Sequence, residues 1–285
     1  MTTARLRRTL VATAALTGSI LALAAAGATP ASAAIPSNNT TILLVHGFNA
    51  SAPFGGHIDC RDATMTPWAQ GLRDRGFTVR TVGWYASDTN CDLSVPGIAD
   101  NTVNTSLDQV AREFTNLIAN RFGTTPVAIS AHSMGGLVVR RALHGVDDGH
   151  SGFSTNIRVT DVVTSGTPHG GASITAFCSN GVVSYVQCQQ AAPGSSFLNA
   201  LKHNPQTTGG TDWTLVGATC DPIVSGTSAL AMTNGSAGPS VFKRTIPAPF
   251  GNPALCAAVA AFTHDDLVKS STGLDIIATG LRTAS

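Results

Sequence analysis

The chain has 285 residues, 43% of them hydrophobic and 12% charged, with a formal net charge of +1. That is enough apolar mass for a large core under a lightly charged surface, and it fits one domain of the larger α/β type. A near-neutral balance without any block of like charge argues against a nucleic acid or other polyanion as partner.

Arg5, Arg7 and Arg8 precede an alanine- and leucine-rich run from about Leu10 to Ala28, which ends at Pro30 and Ala31-Ser32-Ala33. A basic start, an apolar middle and a small-residue end make a secretory signal peptide over 1–33, with cleavage expected after Ala33. A retained membrane anchor is disfavoured, because Thr, Ser and Gly dilute the apolar run and the A-x-A site is well formed. The expectation is an extracellular protein with a single domain over 34–285 and no integral membrane segment. Loss of the three arginines, the only charged residues before position 34, takes the net charge to −2. All six cysteines, Cys60, Cys91, Cys178, Cys188, Cys220 and Cys256, lie beyond the cleavage site. An even number in an exported protein reads as disulfides. The sequential pairing, 60 with 91, 178 with 188 and 220 with 256, is favoured because each pair closes a local excursion. No C-x-x-C or H-E-x-x-H spacing supports a zinc site, so no metal is expected.

Thr41 to Val45 is a short apolar, partly β-branched run, the pattern of a buried parallel strand. It runs into His46-Gly47-Phe48, where the backbone N–H of Phe48 becomes a candidate oxyanion donor. Residues 50–65 read as a surface loop, in which His57, Asp59 and Asp62 are turn-forming polar residues rather than metal ligands. Thr66-Pro67 opens a helix to Arg75, ended by Gly76. Phe77 to Trp84 alternates as a strand, and 85–99 is a loop. Val103, Leu107, Val110, Phe114, Leu117 and Ile118 fall at three- and four-residue steps, which predicts a long helix over 100–122 with one buried face.

Next comes an apolar run, Pro126 to Ser130, then Ala131-His132-Ser133-Met134-Gly135-Gly136, then the helix-like Leu137 to Leu143. A strand, a serine between small residues and a helix form a nucleophile elbow: strand and helix come so close that only small side chains fit two before and two after the serine. Ala131 and Gly135 meet that demand. An ordinary serine cap is the bland alternative, which the flanking strand and helix make the weaker one. The second oxyanion donor is then the N–H of Met134.

Ile157 to Ser165 predicts another strand, ending in Gly166-Thr167-Pro168-His169-Gly170-Gly171. His169 precedes any plausible acid partner and sits in a glycine-proline turn, so a structural or pocket-edge role suits it better than general base. Residues 172–210, with weak periodicity, read as a cap or loop region over the site. Trp213 to Gly217 and Val241 to Ile246 are strands, and the chain ends in helix to about Leu281. In this arrangement the order is nucleophile, acid, histidine, each at the carboxyl end of a strand. No glutamate follows Ser133. Asp147 and Asp148 follow the elbow helix, and Asp161 and Asp212 lie within or before strands. Asp221 alone follows a late strand at the right end, and His264 is the only histidine after it. Asp265 and Asp266 read as caps of the final helix. Ser133, Asp221 and His264 are therefore the candidate catalytic triad for acyl transfer.

These strings, A-H-S-M-G-G at 131–136, L-V-H-G-F at 44–48, G-T-P-H-G-G at 166–171, D-P-I-V at 221–224 and the histidine with D-D-L-V at 264–268, together resemble the small secreted bacterial lipases of the α/β-hydrolase superfamily. Their elbow also carries alanine at its first small position. The resemblance spans about Thr41 to Val268 and implies an α/β-hydrolase fold with a mostly parallel central sheet and helices on both faces. It also implies triacylglycerol lipase or carboxylesterase activity on a lipid or other ester, with no cofactor. The six cysteines and the segments 172–210 and 247–263 exceed the minimal version of that family and bear on the acyl pocket. A polyester hydrolase or a phospholipase is the competing enzyme class. A non-catalytic binding relative is disfavoured, because serine, acid, histidine and both donor positions are present. No oligomer signal is found, so a monomer is the default.

Overall fold

β1 (Thr41–Val45) is buried along its apolar length, and its alternating side chains divide the interior. Leu43 and Val45 enter one apolar cluster and Ile42 and Leu44 the other, so the strand faces a core on each side. The computed structural model describes residues 40–48, 57–173, 185–234, 241–248, 251–256 and 262–282, all within one compact unit, Ala33–Ser285. The signal peptide expected over 1–33 lies outside the described residues.

Beside β1 stand β2 (Thr78–Gly83) and β4 (Val127–His132), with β3 (Leu93–Ser94) at one edge and β5 (Val159–Ser165), β6 (Asp212–Ala218) and β7 (Val241–Ile246) completing the other side. The order is β3-β2-β1-β4-β5-β6-β7, and all strand pairings are parallel. The order reverses between β1 and β4. In open α/β sheets, ligands bind beyond the carboxyl ends of the strands at such a switch point. The helices cover both faces: α2 (Leu107–Phe122) and α3 (Met134–Asp147) add Val110, Phe114, Leu137 and Val138 to one core, while α1 (Met65–Asp74) adds Trp68 and Leu72 to the other.

α2 begins later than its apolar spacing predicts. Ser106 caps it by accepting from the Gln109 N–H at 3.2 Å, and upstream Thr102 N–H donates to Thr105 Oγ1 at 2.9 Å. Such local side-chain bonds offer the backbone an alternative to helix, so Val103 is buried from a turn. β3 was hidden within the expected 85–99 loop; Asp92 anchors it by accepting from the backbone N–H and hydroxyl of Thr81. The described part of 172–210 holds two short helices, α4 (Val186–Gln190) and α5 (Ser196–Ala200). α4 is fastened to the start of α2: buried Gln187 accepts from the Tyr85 hydroxyl at 2.7 Å and donates to the carbonyls of Thr102 and Thr105. Just before α4, the Tyr185 ring lies 6.4 Å from that of Phe48 at the sheet switch point.

α6 (Gly226–Ala229) follows β6, and α7 (Asp266–Lys269) and α8 (Ser271–Gly280) close the chain. Ser270, not an aspartate, caps α8 by accepting from Gly273 N–H. Asp266 accepts from Thr263 just before α7, whereas Asp265 makes no cap and instead accepts from the Thr64 hydroxyl at 2.7 Å. The reading of Asp265 as a cap is thus corrected: the fold brings Thr64 within its reach.

At the far end of the sheet Asp161 and Asp212 are register partners on β5 and β6, both buried. Burial raises the Asp161 pKa to about 7, and the charge of Asp212 adds to this. A carboxyl with its folded pKa raised costs stability as pH climbs from its unfolded value near 4 to its folded value, because over that range the unfolded chain releases its proton while the native state keeps it. Asp161→Asn should therefore stabilise the fold at pH 8 on the order of 4 kcal/mol, each tenfold change in a proton equilibrium being about 1.4 kcal/mol. The gain should shrink toward pH 4. Denaturant melts at both pH values check it, and a gain independent of pH would contradict it.

Candidate active site

β4 delivers its chain to the switch point and turns abruptly. Ser133 holds φ 53° and ψ −131°, and α3 starts at the next residue. A non-glycine residue at such a backbone position costs about 1–3 kcal/mol and persists only where surroundings over-determine it. Here they do: Ser133 N–H donates to the Ser165 carbonyl at 2.9 Å, and its own carbonyl accepts from Gly136 N–H at 3.1 Å. The need for small neighbours is visible as contact. A Cβ on Gly135 would strike the carbonyls of Val45 and His46, and one on Gly47 would lie 2.7 Å from Ser133 Cβ. Ala131, the other small position, pairs with Val45 across the sheet and is fully buried. Met134 occupies the first turn of α3, where backbone N–H groups have no partner within the helix and carry its positive end. Its side chain is in the core, so its contribution to the site is its backbone alone.

Asp221 stands just beyond β6, its side chain fully buried, and His264 lies directly before α7. His264 Nδ1 meets Asp221 Oδ2 at 2.7 Å, and Asp221 Oδ1 accepts from the N–H groups of Ile223 at 2.8 Å and Val224 at 3.0 Å. Both carboxylate oxygens are thereby committed, and the imidazole is held with its proton on Nδ1. His264 Nε2, left to accept, is buried with no hydrogen-bond partner. Ser133 and His264 line one cavity of about 280 Å³, together with Gly47, Phe48, Met65 and Trp68.

Three supporting groups were not read from the sequence. Gly166, at the end of β5 with φ 61°, seats the pair: a Cβ there would lie 2.7 Å from His264 Cε1 and 3.2 Å from Asp221 Oδ2. His132 presses its ring on that of His264, centroids 4.5 Å apart, and its Nε2 is 3.2 Å from the His264 carbonyl. Burial, then the neighbouring His264, lowers the His132 pKa to about 3, so it is a neutral support for that ring. The third is a buried pair of His46 with Asp88 at 2.8 Å, beneath Gly47. Position-by-position reading flags a glycine turn or a histidine but not a partner some forty residues away.

His169 is indeed structural in its contacts. It is buried, its Nε2 is 3.0 Å from the Thr164 hydroxyl, and its carbonyl accepts from Arg140, whose guanidinium also holds the carbonyls of Leu201 and Lys202. Asp59 and Asp62 serve turns, accepting from Arg61 N–H and from Thr64 and Met65 N–H respectively. Among the described residues, the ligand atoms of His144, Asp148 and His150 come within 4.8 Å of one another. They lie at the opposite end of α3 from Ser133, and Asp148 is already held by Lys202 and His144.

Cys60 pairs with Cys91 and Cys220 with Cys256, as the sequential pairing expects. The third pair rests on Cys178, which lies outside the described residues. The bond from Cys220 ties the residue next to Asp221 to the chain leading to His264, across a sequence separation of 36. Replacing both cysteines by serine should cost about 4 kcal/mol of stability by loop-closure entropy, and should lower kcat by loosening the acid from the histidine. A variant as stable as the wild type in denaturant melts would show that the bond constrains nothing.

A seven-stranded parallel sheet flanked by helices, with an elbow serine beyond its central strand and an acid and a histidine beyond later elements, is the α/β-hydrolase fold. No family model and no curated protein sequence matches the chain. Among solved structures it is similar to a Bacillus licheniformis lipase in mature form, at 13% identity over 86% of this chain and 92% of that one, with a TM-score of 0.51. It is equally similar to a monoacylglycerol lipase of Paleococcus ferrophilus, at 13% identity over 86% and 95%, TM-score 0.51. It also aligns with Aspergillus fumigatus lipase B at 15% identity and a TM-score of 0.46, where 90% of this chain spans 55% of the other. At these identities the likeness is one of fold.

Proposed function

We propose that the chain is a secreted serine hydrolase of carboxylic esters, a triacylglycerol lipase or carboxylesterase, acting through Ser133, Asp221 and His264. The observation that carries this reading is the buried, unpartnered Nε2 of His264, oriented by Asp221 and sharing a cavity with a serine held at φ 53°. Ser133 Oγ attacks the ester carbonyl as His264 Nε2 takes its proton. Asp221 keeps the imidazole in the useful tautomer and stabilises it once charged. The N–H groups of Phe48 and Met134 receive the developing oxyanion, each donor contributing roughly 3 kcal/mol in comparable sites. The tetrahedral intermediate collapses, the alcohol leaves with the proton from Nε2, and water repeats the sequence on the acyl-enzyme. No cofactor or metal enters these steps.

Phe48, Ile58, Met65 and Trp68 form the apolar part of the cavity wall, beside Asp62, Thr64 and Asp265. Export rests on the signal-like 1–33 segment and on the disulfides; no helix among the described residues is long and apolar enough to cross a membrane. The test is hydrolysis of p-nitrophenyl esters from acetate to palmitate, with emulsified tributyrin and triolein and with Ser133→Ala as control. Cleavage of long chains and triolein supports the lipase reading. Cleavage of short soluble esters alone makes the protein an esterase, and activity on polyester film without activity on triglyceride would sink the lipase reading.

A further inference from the structure

His46 ends β1 with its ring buried and an oxygen at each nitrogen: Nδ1 is 2.8 Å from the Gly47 carbonyl and Nε2 is 2.8 Å from Asp88 Oδ2. A ring with an acceptor at both nitrogens is held through two N–H donors. Asp88 is a fitting anchor. It accepts from the N–H groups of Ile58 at 2.7 Å, Trp84 at 2.8 Å and Tyr85 at 2.9 Å. Burial pushes its pKa up, but the facing His46 and the N–H groups of Tyr85 and Trp84 outweigh that, and the net shift is downward, so the anchor stays ionised. Trp84 completes the clamp, stacked on the imidazole at 5.1 Å and donating from Nε1 to the His46 carbonyl at 3.2 Å. The ring thus has no freedom to turn.

The peptide joining Gly47 to Phe48 is planar and trans, so its C=O and N–H point in opposite directions. Holding the carbonyl toward His46 aims the N–H of Phe48 away from His46. Gly47 lies against Ser133, and both Gly47 and Phe48 line the cavity that Ser133 and His264 share.

We propose that His46, clamped by Asp88, is the positioning residue of the oxyanion site, fixing the Gly47–Phe48 peptide so that the Phe48 N–H meets the oxygen of an ester attacked by Ser133. The inference rests on the ester-hydrolase reading above. It distinguishes a device for transition-state binding from a buried pair that merely fastens two loops.

The experiment compares wild type, His46→Phe, His46→Asn and Asp88→Asn for kcat and KM on p-nitrophenyl butyrate and for inhibition by phenylboronic acid, whose serine adduct places an oxygen in the oxyanion site. His46→Phe keeps an aromatic ring, though a larger one, and loses both ring nitrogens, and Asp88→Asn keeps an acceptor for the loop N–H groups should His46→Phe fail to fold. For both, kcat should fall roughly 10- to 100-fold, somewhat less than the loss of a whole donor. KM should stay within about twofold, the pattern of an interaction made only in the transition state. The boronic acid inhibition constant should rise by the same factor as kcat falls. His46→Asn, whose carboxamide nitrogen can take the place of Nδ1 and donate to Gly47, should recover most of the loss. An active wild type with folded variants that keep kcat, or that raise KM alone, would overturn this inference and leave the hydrolase reading intact; an inert wild type would overturn both.

Discussion

Ser133→Ala should lower kcat for p-nitrophenyl butyrate by roughly a million-fold, the scale reached when the nucleophile of such a triad is removed. The backbone at Ser133, φ 53° and ψ −131°, places its Cβ against Gly47 and the residue in the cavity shared with His264. The fold should survive, because the hydroxyl caps nothing; α3 takes no side-chain bond from Ser133, the residue just before it. Melting should therefore be nearly unchanged in Ser133→Ala. Ser133→Gly, equally inactive, should be more stable by about 1 kcal/mol, since glycine adopts positive φ without the steric cost borne by a side chain. A Ser133→Ala protein that retains more than about a thousandth of wild-type kcat would move the nucleophile elsewhere, given the size of the expected loss.

The sheet and elbow were legible because their physics is local. A run such as Thr41 to Val45 has one comfortable place, between two cores, and a serine between Ala131 and Gly135 answers a contact with β1 that any such turn must make. Elements defined by partners elsewhere in the chain were not legible. β3 has two residues, too few for any period, and exists because Asp92 reaches Thr81. The start of α2 was misplaced because Val103 has helical spacing yet is followed by Thr105 and Ser106, whose own bonds end the competition at Leu107. Asp265 looked like a cap from its neighbours and turned out to serve Thr64, some two hundred residues away in sequence. At the site the same division holds. Ser133, Asp221 and His264 could be nominated as candidates from order and strand ends, whereas Asp88, His132 and Gly166 carry no residue-level signature and acquire their contacts only when folding brings them against His46 and His264.

Asp221→Asn should reduce kcat by about 10⁴-fold with KM little altered, through the wrong tautomer of His264 rather than through loss of structure. Asp221 Oδ1 is bound to the N–H groups of Ile223 and Val224, so an asparagine here keeps its oxygen on that side, where two donors require an acceptor. Its NH₂ group must then face His264 Nδ1, now 2.7 Å from an oxygen. A donor at that place turns Nδ1 into an acceptor and moves the imidazole proton to Nε2, the atom that has to receive the serine proton. The bonds to Ile223 and Val224 survive and the disulfide beside them is untouched, so melting should change little. Two measurements check the argument: the kinetic loss, and the ¹⁵N chemical shifts of His264, which should exchange the protonated and unprotonated nitrogens between wild type and variant. Unchanged shifts with a large loss of kcat would mean that Asp221 acts through its charge alone, and an unchanged kcat would remove it from the triad.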